Sequence, residues 1–459
     1  MPYYRRMHRW LLLLVLLTSH VMGAQEQSVT KDGDAPAYDD TGTTADIPDP
    51  SGDYYDWTKT RRPERPYIHR YDQTLVMKIF LAEKQPNEGC KVHLTFEQAL
   101  EVIRKLDNLT CGIPKIIYLV GWQHNGHDSM EPDWSVVNPR LKRDEDATAL
   151  DSLKWLMAEA FKYHTTVSLH INMLDATADS PLWDAYVEHD IVARDKNGTL
   201  MKGEVFGSWV GPDTQSYQLS YAQEWKAGYA RKRIDGLLAM LPIQKAGTVH
   251  IDAFHSVAPL HSNEPISPFL GNTTGDEIAA QRKTFRYFRD RGVDVTCEGS
   301  TFLRQDPFIG LQPMAWHYDP PAQNIPPSLY CGTPMAAEEQ IREDPQNLKG
   351  LKEGFCLDVL PWYDGNNSPV ARSGPSPREI GEVFLPAPWL KQTLIAYSKN
   401  GCHDKTWPLP PGWEGVMQVQ VMEIALDGPG AAKQVSTEDG SVTLSLDPGE
   451  ELEIQPVAP

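Results

Sequence analysis

The chain has 459 residues and a formal net charge of −19, with 43 Lys and Arg against 62 Asp and Glu. Binding to phosphate groups needs a basic surface, so this charge balance argues against nucleic acid as a partner. The length allows up to three average domains, or one barrel enzyme with an additional module. Charged residues make up 23% of the chain and aromatic residues 9%, so most of it is predicted to be globular.

Residues 1–24 have the features of a secretory signal peptide. Three arginines precede an apolar stretch at 10–17, and the small residues Gly23 and Ala24 follow it. The apolar stretch is too short to span a bilayer. With no Cys near the cleavage site and no later apolar stretch of 18 residues, we expect a secreted or periplasmic protein without a membrane span.

Residues 25–60 are predicted to be an acidic, disordered leader, because nine acids and one lysine lie within 25–56. The six cysteines contain no C-x-x-C pair, so a zinc–thiolate site is not expected. In an exported protein they can form disulfides, and proximity in sequence suggests Cys90 with Cys111 and Cys331 with Cys356.

Residues 61–380 alternate between strand and helix patterns. A capping box at Thr95 and Gln98 predicts one helix start, and Leu219–Leu241 is predicted to be a single helix. Two further strand–helix units are expected to end near Trp316 and Asp358. Repeated units of this kind favour a TIM-type (β/α)8 barrel over an open sheet. The predicted strands are Thr74–Phe80, Lys115–Gly121, Thr165–Ile171, Thr248–Phe254 and Val293–Cys297.

Residues 381–459 change character. Strand-like alternation is present at 389–398, 416–426, 440–446 and 450–455, with Asp-Gly and Asp-Pro-Gly turns between. No helical period is visible there. The sequence therefore predicts a small all-β sandwich domain behind the barrel.

Polar residues follow the predicted strands, at the end where barrel enzymes carry their chemistry. Asp252 lies between apolar neighbours, and Glu298 comes directly after the next strand. A retaining glycosidase needs two carboxyl groups about 5–5.5 Å apart, and neighbouring strands can supply them. In the alternative interpretation, Asp252 is paired with Arg233 or Lys245 and Glu298 caps a helix.

A metal site is a second alternative, because His124, His127, Asp128 and His170 are residue types that bind catalytic metals. The sequence has no H-E-x-x-H motif and no H-x-H at the end of the first strand. The expectation is therefore that no metal and no organic cofactor is needed.

Four segments, YLVGWQHNGHDSMEPDW, SLHINMLDA, GSWVGPDTQSYQLSYAQEWKAGYARKRID and HIDAFHS, occur in this order. Together they resemble the catalytic barrel of the glycoside hydrolase family 101 endo-α-N-acetylgalactosaminidases. The resemblance covers roughly residues 74–375, and the C-terminal TWPLPPGW with the module behind it resembles the sandwich domain that follows that barrel.

The resemblance implies release of galactose-β-1,3-GalNAc from Ser or Thr of mucin-type glycoproteins, with retention of configuration. It makes Asp252 the nucleophile and Glu298 the acid/base. The family's sugar contacts fall on His127, Asp128, Asn172 and Trp209, and position alone adds Gln123, Asp175 and Trp316. The expected partner is a glycan or glycoprotein substrate, and no oligomeric state is predicted.

This sequence departs from the family in several places. Known members are usually far larger, Phe206 stands where a Trp is expected, and Met130-Glu131 interrupts the pair before Pro132. A long segment, HSNEPISPFLGNTTGD, separates Asp252 from Glu298. Three other functions therefore stay open: another α-glycosidase specificity, such as α-galactoside or exo-acting α-GalNAc release; an inactive carbohydrate-binding barrel; and a metallohydrolase.

Overall fold

A computed structural model describes residues 62–85, 89–206, 214–254, 266–297, 308, 310–313, 338–348, 350–367 and 375–457. An N-terminal part is built on a parallel sheet, and a C-terminal part is built on an antiparallel sheet. The predicted signal peptide and acidic leader lie outside the described residues.

The elements of the N-terminal part alternate between strands and helices. Its strands are β1 (Leu75–Phe80), β2 (Ala82–Gln85), β3 (Gly89–Val92), β4 (Lys115–Val120), β5 (Thr165–Asn172), β6 (Asp175–Thr177), β7 (Lys202–Phe206), β8 (Thr214–Gln218), β9 (Thr248–Asp252) and β10 (Asp294–Cys297). Its helices are Phe96–Leu109, Ala149–Glu159, Trp183–Glu188, Tyr221–Ala227, Tyr229–Met240, Ile243–Ala246, Thr274–Arg289, Glu338–Glu343, Leu351–Gly354, Leu360–Asn367 and Pro377–Ile380, with a π-helical turn at Phe355–Val359.

The central sheet is parallel and has the strand order β1-β4-β5-β9-β10. Strands β1 and β4 are buried along their whole length, as expected for strands covered on both faces. Their carboxyl ends lie at one edge of the sheet, which places the residues that follow β4, β5 and β9 near each other. The five predicted strands are thus confirmed, although β9 ends at Asp252 rather than Phe254.

Two predictions about the helices can be compared with the structure. The capping box at Thr95 and Gln98 is present at the start of Phe96–Leu109. The single helix predicted over Leu219–Leu241 is wrong, because Gly228 (φ +84°) ends one helix and begins the next. A glycine in the left-handed conformation ends a helix because the turn that it forms brings N–H groups to the last carbonyl groups of the helix.

A small antiparallel sheet interrupts the parallel one between β5 and β9. Its strand order is β6-β8-β7, and Ala176 of β6 belongs to a separate hydrophobic cluster with Tyr186, Ile191, Val192 and Leu219. This inserted sheet matters for the site because β6 begins at Asp175, three residues after the end of β5. It therefore holds the chain that leaves β5 close to the edge of the parallel sheet.

The C-terminal part is a seven-stranded antiparallel sheet with the order β11-β12-β17-β14-β15-β16-β13. The four predicted segments correspond to β12, β14, β16 and β17, whereas β11, β13 and β15 were not predicted. Its own core includes Trp407 and Val419, but Ile395, Tyr397 and Ile424 pack in the core of the N-terminal part. The strands are β11 (Glu382–Pro386), β12 (Leu394–Ser398), β13 (Cys402–Pro408), β14 (Gln418–Glu423), β15 (Lys433–Glu438), β16 (Ser441–Leu446) and β17 (Glu450–Pro456).

Two further expectations are corrected. Asp358 does not end a strand; it lies in the π-helical turn and pairs with Arg378. Cys90 and Cys111 are not joined by a disulfide. Cys331 lies outside the described residues, so its pairing with Cys356 stays a prediction. No helix among the described residues is long and apolar enough to cross a membrane.

Candidate active site

The carboxyl ends of β5 and β9 bring His170, Asn172 and Asp252 together. In the parallel register His170 lies beside His250, and Asn172 lies beside Asp252. Asp252 is the last residue of β9, and its side chain is 17% exposed while the rest of the strand is buried. A carboxylate therefore stands at the accessible end of a buried strand, where the sequence predicted it.

The carboxylate of Asp252 faces a histidine. Nε2 of His170 lies 3.2 Å from Oδ2 of Asp252, and the His170 side chain is only 4% exposed. The interpretation in which Arg233 or Lys245 holds Asp252 is wrong. Arg233 donates to Glu224 at 2.7 Å instead, and the Lys245 ammonium lies over the ring of Phe161.

A column of aromatic rings runs from this carboxylate into the sheet. The ring of His170 stacks on His250 with centroids 5.4 Å apart, and His250 lies 5.2 Å from Tyr118. On the other side, His127 meets His170 edge-to-face at 5.3 Å and Phe80 at 5.4 Å. Edge-to-face and offset contacts are the favoured geometries for such rings, so the column fixes the plane of His170.

The loop after β4 folds back against β2 and delivers His127. The backbone N–H of His127 donates to the carbonyl of Ala82 at 2.9 Å. This approach requires a glycine at 121, because a Cβ there would lie 1.9 Å from the same carbonyl oxygen and φ is +74°. Asp128 follows, with Oδ2 3.4 Å from Nε2 of His127. The predicted His127 and Asp128 are thus adjacent to each other and to His170.

Gln123 is held by a buried acid that the sequence prediction did not include. Its Nε2 donates to Oε1 of Glu131 at 2.9 Å. Burial raises the pKa of Glu131 well above its usual range, Arg233 opposes that shift, and Asp128 adds to it. The hydrogen bond to this carboxyl orients the Gln123 amide.

Asn172 and Asp175 form a turn that closes the end of β5. The side-chain oxygen Oδ1 of Asn172 accepts from the N–H groups of Leu174 and Asp175, and its side-chain nitrogen Nδ2 donates to Asp175 Oδ2 at 3.1 Å. Ser216 donates to the other carboxyl oxygen at 3.0 Å. Burial, and then the charges of Asp128 and Asp252, raise the Asp175 pKa to about 8 against these hydrogen bonds.

Arg233 supports the site from behind. Its guanidinium donates to Glu224 and to the backbone carbonyl of Asn172 at 2.8 Å, and it lies 3.8 Å over the ring of Trp134. Glu224 in turn accepts from the hydroxyl of Tyr186 at 2.7 Å. This buried network holds the last residue of β5, so it positions Asn172 without reaching the edge of the sheet.

Three predicted residues lie outside the described residues: Glu298, Trp209 and Trp316. In sequence Glu298 follows Cys297, the last residue of β10, which pairs with Ile251 in the neighbouring strand. The pairing of Asp252 with Glu298 as the two catalytic carboxyls stays a prediction.

The predicted sugar site did not include His170, His250, Glu131 or Arg233, although His170 was a candidate metal ligand and Arg233 a candidate partner of Asp252. The spacing of His170 and His250 could have placed them in the site. Each lies two residues before Asn172 or Asp252, and residues two apart lie on the same face of a strand. The sequence does not predict the contact between Arg233 and Glu224, because that contact depends on how helix Tyr229–Met240 packs.

One group of side chains among the described residues has the spacing of metal ligands. It consists of His127, His170 and Asp252, whose candidate ligand atoms all lie within 4.8 Å of one another. The arrangement as a whole offers a partly exposed carboxylate, two imidazoles, and amide and carboxyl groups that can bind hydroxyls.

A family model of glycoside hydrolases, described as endo-alpha-N-acetylgalactosaminidase, matches residues 73–279. Solved structures resemble the chain only distantly. Alpha-N-acetylgalactosaminidase NagBb from Bifidobacterium bifidum, in its GalNAc complex, is 13% identical over 56% of this chain and 40% of its own, with a TM-score of 0.41. GH36 alpha-galactosidase AgaB from Geobacillus stearothermophilus is 12% identical over 86% and 56%, with a TM-score of 0.42.

The chain thus spans less than two thirds of the length of these structures. No curated protein matches it significantly. The family match includes β1 to β9, the loop with His127 and Asp128, and Asp252 itself. Over residues 73–279, the chain is thus similar to the endo-alpha-N-acetylgalactosaminidases of glycoside hydrolase family 101.

Proposed function

We propose that the chain is a retaining glycoside hydrolase that cleaves α-linked N-acetylgalactosamine and releases galactose-β-1,3-GalNAc from Ser or Thr of mucin-type O-glycoproteins. The observation that carries the proposal is the position of Asp252. It stands at the accessible end of a buried parallel strand, 3.2 Å from His170, within the segment that the family model matches.

The reaction is a double displacement. Asp252 attacks the anomeric carbon and forms a glycosyl ester, while Glu298 gives its proton to the departing Ser or Thr oxygen. Glu298 then takes a proton from water, whose oxygen attacks the anomeric carbon and frees Asp252. Both steps keep the charge balanced, and the configuration is retained after two inversions.

The other side chains orient the sugar. His127, Asp128 and Asn172 lie around Asp252 and can hydrogen-bond hydroxyl groups, and Gln123 is held in place by Glu131. Trp209 and Trp316 are assigned as flat apolar faces for the rings. Asp175 stays protonated near neutral pH because of its raised pKa, so it does not compete with Asp252 for the developing positive charge.

The same proposal includes the architecture. Strands β1, β4, β5, β9 and β10 supply five members of a (β/α)8 barrel over residues 61–380, and residues 381–459 form the sandwich domain. Residues 1–24 are the signal peptide that exports the enzyme, and 25–60 are the acidic leader.

The test of substrate class is a panel of p-nitrophenyl α-glycosides that contains galactose-β-1,3-GalNAc, GalNAc and galactose. Turnover restricted to the disaccharide supports the proposal, with the α-anomer as the first product seen by NMR. Turnover of α-GalNAc or α-galactoside alone assigns an exo-acting α-glycosidase. Sugar binding without any turnover assigns an inactive binding barrel.

Asp252→Asn should lower kcat by about 10³-fold or more, because an amide cannot form the glycosyl ester. The melting temperature should stay close to that of the parent. Asp184→Asn, an exposed aspartate in helix Trp183–Glu188, is the matched control and should keep full activity. A fully active Asp252→Asn enzyme would remove Asp252 from the mechanism.

A further inference from the structure

Two imidazoles and a carboxylate converge at the end of β9. Candidate ligand atoms of His127, His170 and Asp252 lie within 4.8 Å of one another, and His170 Nε2 is 3.2 Å from Asp252 Oδ2. Zinc binds His at about 2.0–2.1 Å and carboxylate oxygen at about 2.0–2.2 Å, which places two tetrahedral ligands roughly 3.3 Å apart. The His170–Asp252 distance already has this value, and the separations from His127, at most 4.8 Å, must shorten toward it.

The surroundings resemble those of a built metal site. His250 stacks on His170 and is itself held by Thr296, whose Oγ1 lies 2.8 Å from His250 Nδ1. Asp128 lies 3.4 Å from Nε2 of His127 and can act as the outer carboxylate that orients a ligating imidazole. The buried Arg233, which binds the backbone carbonyl of Asn172, has its charge paired with Glu224. The negative charge of Asp252 therefore favours a dication.

The ligand types select the metal. Two imidazole nitrogens and one carboxylate oxygen suit zinc and related transition metals, whereas calcium and magnesium prefer oxygen ligands alone. His127 is 22% exposed at the site, so an ion can reach it from solvent. With three protein ligands, a fourth position would remain for water or a substrate hydroxyl.

We propose that His127, His170 and Asp252 bind Zn²⁺ or a chemically similar cation, and that this binding inhibits the enzyme. The inhibition rests on the proposed function, because a carboxylate that ligates a metal cannot attack the anomeric carbon. The binding itself does not depend on that function. Sugar and metal then compete for one carboxylate, so zinc acts as a competitive inhibitor of hydrolysis.

The binding experiment uses the chelator-treated full chain. Titration with Zn²⁺ by calorimetry, and with Co²⁺ by visible absorption, should show one ion per chain in a site of four or five ligands. His127→Ala and His170→Gln should each weaken Zn²⁺ binding at least tenfold, with folding checked by circular dichroism. His189→Gln, at an exposed histidine, is the matched control and should bind as the parent does.

The activity experiment measures turnover of the best p-nitrophenyl α-glycoside with added Zn²⁺, Mg²⁺ or Ca²⁺. Zn²⁺ alone should raise KM without changing kcat, and chelator should reverse the effect. Equal Zn²⁺ binding by the parent and both histidine variants overturns the site. Bound Zn²⁺ without inhibition, or activity lost on chelation, overturns the inhibitory role. Bound Zn²⁺ in a protein inactive on every glycoside supports the metal site and contradicts the proposed function.

Discussion

Asp175 is a buried carboxyl within the electrostatic reach of Asp128 and Asp252. Burial, followed by those two charges, raises its pKa to about 8, so the folded protein holds a proton that the unfolded chain releases near pH 4. A group with a raised acid pKa costs stability progressively as the pH increases between those two values. Ionisation of Asp175 therefore lowers the stability of the fold as the pH rises toward 8.

Asp175→Asn should remove this sensitivity. The amide can still accept from Asn172 with its oxygen and donate to Ser216 with its nitrogen, so both hydrogen bonds survive. At pH 5 the variant and parent should unfold at similar temperatures. At pH 8 the variant should be more stable by a few kcal/mol, since one pKa unit corresponds to about 1.4 kcal/mol.

The measurement is thermal unfolding from pH 5 to 8. Asp184→Asn serves as the control, because this aspartate is exposed. If parent and Asp175→Asn lose stability equally as the pH rises, the Asp175 carboxyl is ionised in the folded protein.

The loop that follows β4 folds back against β2, and its conformation depends on the close approach of these two backbone segments. Gly121 has φ +74°, and a Cβ there would lie 1.9 Å from the Ala82 carbonyl oxygen that the N–H of His127 binds. Gly271 has nearly the same dihedral, φ +73°, but a Cβ there would meet no atom within 4 Å. The two glycines therefore separate the effect of dihedral strain from the effect of contact.

Gly271→Ala should lower stability by about 1–2 kcal/mol through the left-handed dihedral alone. Gly121→Ala should cost clearly more, and it should also lower kcat/KM because the displaced loop moves His127 and Asp128. Chemical denaturation and steady-state kinetics of both variants provide the comparison. Equal losses in the two variants would show that the contact with Ala82 does not shape the site.

The elements of the parallel sheet could be predicted because their apolar runs are continuous and each ends in polar residues. The excursion through β6, β7 and β8 could not, because these strands are short and carry polar residues such as Ser216. Strand β13 was missed for a similar reason, since only Trp407 in it is buried. The pairing of His170 with Asp252 depends on the register between β5 and β9, which the sequence of either strand alone does not contain.

At the scale of the whole molecule, the C-terminal sheet shares a core with the N-terminal part. Glu451 of β17 is fully buried there and accepts a hydrogen bond from the Cys356 thiol at 3.2 Å. Burial raises its pKa to about 8, against the effects of Cys356 and Lys352. The contact between the two parts is therefore strongest with a protonated Glu451 and weakens as the pH rises above the unfolded value of this carboxyl.

Glu451→Gln should raise the melting temperature at pH 8 by several degrees and leave it nearly unchanged at pH 5. A chain of this size shifts by about 2–4 °C per kcal/mol. Glu438→Gln, in an exposed position of β15, is the control. A melting temperature of Glu451→Gln that falls with pH as steeply as that of the parent would contradict a neutral Glu451.

The ring column from Phe80 through His127, His170 and His250 to Tyr118 has a spectroscopic consequence. Each histidine lies about 5 Å from the centre of a neighbouring aromatic ring, within the reach of its ring current. The carbon-bound protons of these imidazoles therefore resonate away from the positions of exposed histidines. A sugar or ion that binds beside Asp252 changes the surroundings of His127 and His170, so we expect the resonances of these protons to shift when the site is occupied.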